Sequence, residues 1–125
     1  MPPKSDLIRL KHMRDAAEKA LRFTSGKSRR DLSQDEQLAL ACVRLIEIVG
    51  EAAAKVSQET KERLKEIPWN EIVGTRNRLI HGYEEVDLDI VWQILGQDLP
   101  DLLDQLNRRL KEEGDQGSLW ERQGA

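Results

Sequence analysis

The chain has 125 residues and a formal net charge of −3, with 34% charged and 4% aromatic residues, 4 prolines and 8 glycines. That length suits one domain with a single core, and the composition is that of a helical protein rather than a β-sandwich. No apolar run approaches the roughly 20 residues needed to cross a bilayer, the N-terminus lacks the apolar stretch of a signal peptide, and the single Cys42 allows no intrachain disulfide, so a cytoplasmic setting is the natural expectation.

In chain order, Ser5 is placed to cap a first helix running to about Thr24, with Leu7, Leu10, Met13, Ala17 and Leu21 at helical spacing. His12 lies among Arg9, Lys11 and Arg14 with no partner at metal-ligand spacing, and reads as a surface residue. Ser25 to Arg30 reads as a connecting loop, and Ser33 with Glu36 three residues on has the pattern of a capping box opening a second helix. That second helix has the clearest stripe in the chain: Leu38, Ala41, Cys42, Leu45, Ile48, Val49, Ala52, Ala53 and Val56. Arg44, Glu47, Glu51 and Lys55 run along another face at spacings that allow pairing. Gly50 interrupts the stripe at a cost of about 1 kcal/mol relative to Ala, so another backbone is expected to pass close to it.

Thr60 to Glu66 makes a short third helix, stopped before Pro68, which is suited to the first turn of the fourth. The fourth carries Trp69, Ile72, Val73, Arg76, Asn77 and Ile80 and is expected to end near His81, with Gly82 as its stop. Asp87 can cap a fifth helix with a leucine-rich stripe from Val91 to Leu110, and Gly96 and Pro100 inside it predict a kink around residues 96–100. The expected architecture is all-α: an antiparallel bundle of four to five helices over residues 5–112. Residues 113–125 lose the periodicity and are expected to form a mobile tail, in which Trp120 is the one candidate anchor.

The chemistry concentrates in Gly74 to Tyr83. Arg76, four residues, His81, one residue, Tyr83 puts a fixed cation, a proton shuttle and a phenol within eight positions, with Asn77 following the arginine. On a helix Asn77 and His81 share a face, whereas Arg76 and His81 lie about 140° apart. The pair converges only if the arginine wraps round, if His81 sits in a frayed last turn, or if a second chain completes the site. At a helix C-terminus the macrodipole would favour protonated His81 and a nearby Arg76 would oppose it, which leaves the net direction open. Each residue also has a plainer reading: His81 as a C-cap, Arg76 as an ion-pair partner, Asn77 as a surface hydrogen bonder, Tyr83 as a packing residue.

These residues resemble the Arg-x4-His-x-Tyr signature, with Asn after the Arg, of the HepT-like toxins, small helical proteins of the HEPN superfamily found in type VII toxin–antitoxin systems. The likeness extends to Glu47-Ile48-Val49-Gly50-Glu51-Ala52-Ala53, to Ile67-Pro68-Trp69 and to Val86-Asp87 leading into Val91-Trp92, and covers roughly residues 5 to 112. Thr75 departs from it, standing where the family more often has methionine.

The resemblance implies an HEPN-type homodimer with composite, metal-independent ribonuclease sites, RNA as substrate, and no cofactor. It implies Arg76 and His81 as the catalytic pair, Asn77 in support, and control by a nucleotidyltransferase (MNT-like) antitoxin that attaches AMP to Tyr83. The chemistry is coherent: RNA supplies its own nucleophile in the 2′-hydroxyl, histidine suits either proton transfer, and arginine forks onto two phosphate oxygens. One histidine cannot readily be acid and base together, whereas two from a dimer can face each other across a cleft. Glu47 and Glu51 are either surface ion-pair partners or carboxylates that orient Arg76 across the bundle. A non-catalytic HEPN module that binds nucleotide or a partner protein is the alternative. Positive charge is local (Lys27, Arg29, Arg30; Lys61, Arg63, Lys65; Arg76, Arg78; Arg108, Arg109, Lys111), so any RNA contact is expected in a short basic cleft. Glycine-rich phosphate loops, Cys–His metal sets and Gly-x-Ser-x-Gly elbows are absent from the sequence.

Overall fold

The computed structural model describes residues 2–81 and 85–112, with the side chains of Arg76, Ile80, His81 and Glu112 outside that description; the expected tail and Trp120 also fall outside it. The fold is an all-α antiparallel bundle built on three long helical runs: α1 (Lys4–Thr24), α3 (Glu36–Ala54), and a continuous run of α7 (Leu88–Gln93), a π-helical turn (Ile94–Asp98) and α8 (Leu99–Glu112). Shorter elements fill the connections: α2 (Arg29–Gln34), α4 (Gln58–Arg63), α5 (Trp69–Val73), α6 (Thr75–Leu79), and a two-stranded ladder of β1 (Ile80–His81) and β2 (Glu85–Val86).

α1 packs against both α3 and α8. Its buried face includes Leu10, Met13, Ala16, Ala17 and Ala20, and the small residues let the neighbouring helix approach closely. α3 contributes Cys42, Leu45, Ile46, Val49, Ala52 and Ala53, and α8 contributes Leu99, Leu102, Leu106 and Leu110, all in one contiguous core. The Cys42 thiol is sealed within it, and burial pushes its pKa up to about 11. Such a thiol is inert at neutral pH.

Helix starts differ from the expectation in several places. α1 begins at Lys4, so Ser5 lies inside the first turn, and the Pro3 carbonyl accepts from the Leu7 N–H at 3.1 Å. The predicted loop Ser25 to Arg30 is shorter than expected, because Arg29 already opens α2. The reciprocal cap is Ser28 with Asp31, whose carboxylate accepts from the Ser28 N–H at 2.6 Å and the Ser28 hydroxyl at 3.1 Å. These bonds hold the Asp31 carboxyl below the usual carboxylate range. Ser33 is therefore inside α2, where it accepts from Arg29, and α3 is capped by Asp35, which accepts from the Leu38 N–H at 3.1 Å. Gly26, at φ 75°, makes the left-handed turn that ends α1.

A buried pin joins the start of α1 to α4. The Asp6 carboxylate, 3% exposed, accepts from the Ser57 N–H at 3.0 Å, the Ser57 hydroxyl at 2.6 Å and the Thr60 hydroxyl at 2.5 Å. Ser57 also caps α4, so this helix starts earlier than the Thr60 expected from sequence.

The expected kink at 96–100 takes the form of the π turn. Pro100 has no N–H, and its ring would crowd the carbonyl four residues back in a regular helix. The wider turn, in which the Leu99 N–H bonds to the Ile94 carbonyl, relieves this. The helix start at Asp87 is as expected: its carboxylate accepts from Asp89 and Ile90 N–H groups at 3.0 and 3.2 Å.

Candidate functional site

The segment from Trp69 to Val86 is assembled from short pieces. Trp69 anchors it, with its ring buried and its indole N–H on the Leu64 carbonyl at 3.0 Å. α5 then crosses α3 at Gly50: a methyl group there would sit 3.0 Å from the Ile72 carbonyl oxygen. This is the close backbone approach that the glycine predicted.

The single fourth helix expected from sequence is in fact two, broken at Gly74. Thr75 bridges the break, buried, with its hydroxyl on the Glu71 carbonyl at 2.9 Å. The residue that departs from the family pattern thus ties α5 to α6. Helix α6 ends at Leu79, two residues before the expected end at His81, because Ile80 and His81 pair with Val86 and Glu85 in an antiparallel ladder. The Asp87 N–H closes it onto the Leu79 carbonyl at 2.8 Å. β-Branched Ile80 and Val86 suit an extended pair better than a fraying helix end.

This placement changes the geometry read from sequence. Arg76 lies on α6 and His81 on β1, on consecutive elements rather than on one helix. The 140° helical phase between them and the shared helical face of Asn77 and His81 do not apply, because His81 lies beyond the end of α6. Asn77 is exposed on α6, with its backbone N–H on the Gly74 carbonyl at 3.0 Å. Gly82 and Tyr83 lie outside the described residues.

Of the two carboxylates expected to serve either as surface partners or as orienters of Arg76, Glu51 is exposed and meets the Arg44 guanidinium at 3.1 Å. Glu47 is half-buried, one turn before Gly50 on the flank of α3 that faces α5 and α6. His12 is half-buried on α1.

Sequence reasoning missed two polar contacts around the motif. Arg78, on α6, bonds Asp98 of the π turn at 3.1 Å, each side chain about a third exposed at 35% and 39%. Arg29, on α2, bonds Asp89 of α7 at 2.7 Å and the Ser33 hydroxyl at 2.8 Å. It thereby lines a cleft of about 350 Å³ with Glu85, Val86, Asp87 and Leu88, directly beside the β-ladder. The only sequence signal was the grouping of Lys27, Arg29 and Arg30, since nothing local indicates a partner sixty residues away.

Two cavities flank the motif segment, each with a single arginine among carboxylates. A cavity of about 280 Å³ behind α6 has Thr75 and Arg78 in its wall and Glu66, Glu71, Asp98 and Asp101 around it. Glu66 is partly buried, which alone would raise its pKa, but its own backbone N–H and Arg109 at 2.7 Å hold it below the usual carboxylate range. Four carboxylates around one arginine disfavour a phosphodiester in this cavity. The Arg29 cleft is no more cationic, since Glu85 and Asp87 line it and Arg29 is paired with Asp89. Among the described residues no three His, Cys, Asp or Glu side chains form a group that could hold a metal ion, and no helix is long and apolar enough to cross a membrane.

Comparison with known proteins bears on this site. Residues 13–109 match the family model described as "Ribonuclease HepT-like". The chain is 35% identical over 104 residues to "Putative RNase TTE0752" of Caldanaerobacter subterraneus subsp. tengcongensis, covering 83% of this chain and 93% of that protein. It is 33% identical over 93 residues to "Probable ribonuclease HepT" of Thermococcus cleftensis, covering 74% and 84% of the two chains. It is also 31% identical over 86 residues to "Putative RNase MJ1380" of Methanocaldococcus jannaschii, covering 69% and 79%. No solved structure gives a significant match.

Proposed function

This chain belongs to the HepT-like ribonuclease family of the HEPN superfamily, and from that premise we propose that it is a toxin that cuts RNA with Arg76 and His81. The observation that supports the residue assignment best is their placement on adjoining elements, α6 and β1, at the end of a segment anchored by Trp69, Thr75 and Leu79. His81 exchanges protons with the 2′-hydroxyl and the leaving 5′-oxygen, a role worth roughly 10²–10⁴-fold. Arg76 forks onto the phosphate and stabilises the charge that develops there. Asn77, exposed on the same short helix, is a further donor for RNA. Neither proton transfer nor phosphate binding in this scheme calls for a metal.

A homodimer supplies two copies of His81, one as acid and one as base, across a shared cleft. Mixing parent with His81→Ala subunits tests this. A cleft that needs both copies leaves heterodimers inactive, so activity should fall with the square of the parent fraction, whereas heterodimers that keep half the parent rate would mean that each chain holds its own site.

Control rests on Tyr83. A nucleotidyltransferase antitoxin of the MNT type transfers AMP to its phenol, which places a phosphate charge and a purine next to His81 in sequence and excludes RNA. RNA as target and a cognate antitoxin together place the action in the cytoplasm. With ATP and the antitoxin, intact mass should show AMP on the parent and not on Tyr83→Phe, and Tyr83→Phe should keep RNA cleavage within several-fold of the parent. Equal labelling of both would put the control elsewhere. The competing reading, a non-catalytic nucleotide- or partner-binding module, predicts that pure protein leaves RNA intact and that His81→Ala changes nothing.

A further inference from the structure

Helix α6 has five residues, too few to be stable alone, because nucleating a helical turn is unfavourable and five residues barely repay it. Its inner face is held by buried Thr75 and Leu79, 6% and 1% exposed. Its flank is held by the Arg78 guanidinium, which reaches Asp98 at 3.1 Å. Arg78 is two residues after Arg76 and three before His81, so whatever fixes Arg78 fixes the backbone between them.

Asp98 reaches that position because of the π turn. In an unbroken α-helix Asp98, seven residues from Val91, would lie within about 20° of it on the core face. Val91 is fully buried, so a carboxylate there would be buried too. The extra residue of the π turn rotates the remainder of the helix by about 100°. Leu99, 3% exposed, takes the core position, and Asp98 is delivered to the seam with α6. Single inserted turns of this kind often mark functional positions.

The surroundings argue that Arg78 is not itself a phosphate ligand. It lines the cavity shared with Glu66, Glu71 and Asp101, a setting that disfavours RNA. We propose that Arg78 and Asp98 are a positioning pair: the π turn presents Asp98 to Arg78 so that α6 holds Arg76 and His81 in register for RNA cleavage. This rests on the ribonuclease reading above, and its test separates the two.

Asp98→Ala should lower kcat for RNA cleavage roughly 5- to 20-fold with KM within about twofold, since only the alignment of the reacting groups is lost. The melting temperature should stay within about 4 °C of the parent, because a pair this exposed adds little stability. Asp98→Asn, which keeps an acceptor, should recover part of the loss, and the charge-swapped double variant Arg78→Asp/Asp98→Arg should exceed either single change. Hydrogen exchange of the 75–81 backbone should accelerate in Asp98→Ala while that of α1 and α3 does not. A rise in KM at unchanged kcat in Arg78→Ala would make Arg78 an RNA-binding residue and overturn the proposal, as would parental kcat in Asp98→Ala. If the parent itself cuts no RNA, the ribonuclease reading falls. Exchange then decides the clamp: acceleration confined to 75–81 supports it, and unchanged exchange overturns it.

Discussion

The framework of α1, α3 and α8 and the segment from α5 to β2 are held by different means. In the framework, long apolar stripes interlock, and fully buried Leu10, Met13, Ile46, Leu106 and Leu110 exclude water over many turns. In the motif segment no described element exceeds five residues, and position depends on individual contacts: Trp69 on Leu64, Thr75 on Glu71, Arg78 on Asp98, Asp87 on Leu79. Burial contributes most of the free energy of folding and tolerates small displacements. Single hydrogen bonds contribute little but fix direction. A protein so divided can keep its fold while its reactive residues are rearranged.

The sharpest way to break that division is to exchange the two kinds of damage. Arg76→Ala and His81→Ala are each expected to reduce RNA cleavage by about 10²–10⁴-fold, with unchanged helical circular dichroism and thermal midpoint. Leu106→Ala, at 0% exposure, should do the reverse: it should cost about 2–5 kcal/mol of stability through the cavity it leaves. Below its melting temperature the cleavage rate per folded molecule should remain near that of the parent. Urea unfolding and a cleavage assay on the same samples settle both. A His81→Ala protein that cuts RNA at the parent rate would sink the catalytic assignment, and a Leu106→Ala protein that stays equally stable would show that the framework is not where stability resides.

The two regions were also unequally legible in the sequence. The framework could be read because burial leaves a periodic trace: Cys42, Leu45, Val49, Ala52 and Ala53 of the expected α3 stripe are buried, though it missed Ile46 and ran past the helix end at Ala54 to Val56, and the Asp87 cap and the backbone approach at Gly50 are in place. The motif segment could not, because the pattern of Ile72, Val73, Arg76 and Ile80 fits one continuous helix as well as two. What divides it is a turn at Gly74 and a pairing of Ile80 with Val86, neither of which helical spacing reports. The capping box fell on the wrong serine for a similar reason. Ser28 with Asp31 and Ser33 with Glu36 both have a hydroxyl and an acid three residues apart, and the choice follows from α2, whose six residues carry only one buried apolar side chain, Leu32. The π turn left a hint in Gly96 and Pro100, but its outcome depended on which residue the core would accept.

Gly50→Ala tests the seam where the regions meet. Alanine would gain about 1 kcal/mol in helix propensity. Its methyl group would, however, press on the Ile72 carbonyl at 3.0 Å, a backbone atom that yields only if α5 shifts. Overpacking of this kind costs about 1–3 kcal/mol, so the variant should be less stable by about 1 kcal/mol net and slower in RNA cleavage by several-fold. A gain in stability at full activity would show that α5 floats freely on α3, and the division drawn above would be too strong.

The smallest effect on cleavage is expected at Asp6, which ties the framework to α4 just upstream of the motif segment. Burial alone would raise the pKa of this carboxyl, but the Ser57 and Thr60 hydroxyls, the Ser57 N–H and nearby Lys61 outweigh it and hold it below the usual carboxylate range. A group whose pKa is depressed by folding stabilises the native state above its unfolded value, near 4 for aspartate, and that stabilisation disappears as pH falls through the folded value. Asp6→Asn keeps the shape but turns one acceptor into a donor facing two hydroxyls, so it should lose about 1–2 kcal/mol at pH 7. The gap between parent and variant should narrow below about pH 4, as the parent's own carboxyl becomes protonated. Cleavage by the folded variant should match the parent, because the pin touches neither α6 nor the ladder. Denaturant unfolding of both proteins at pH 7, 5 and 3 measures the gap directly. A difference that stays constant across that range would mean that the pin does not depend on the Asp6 charge.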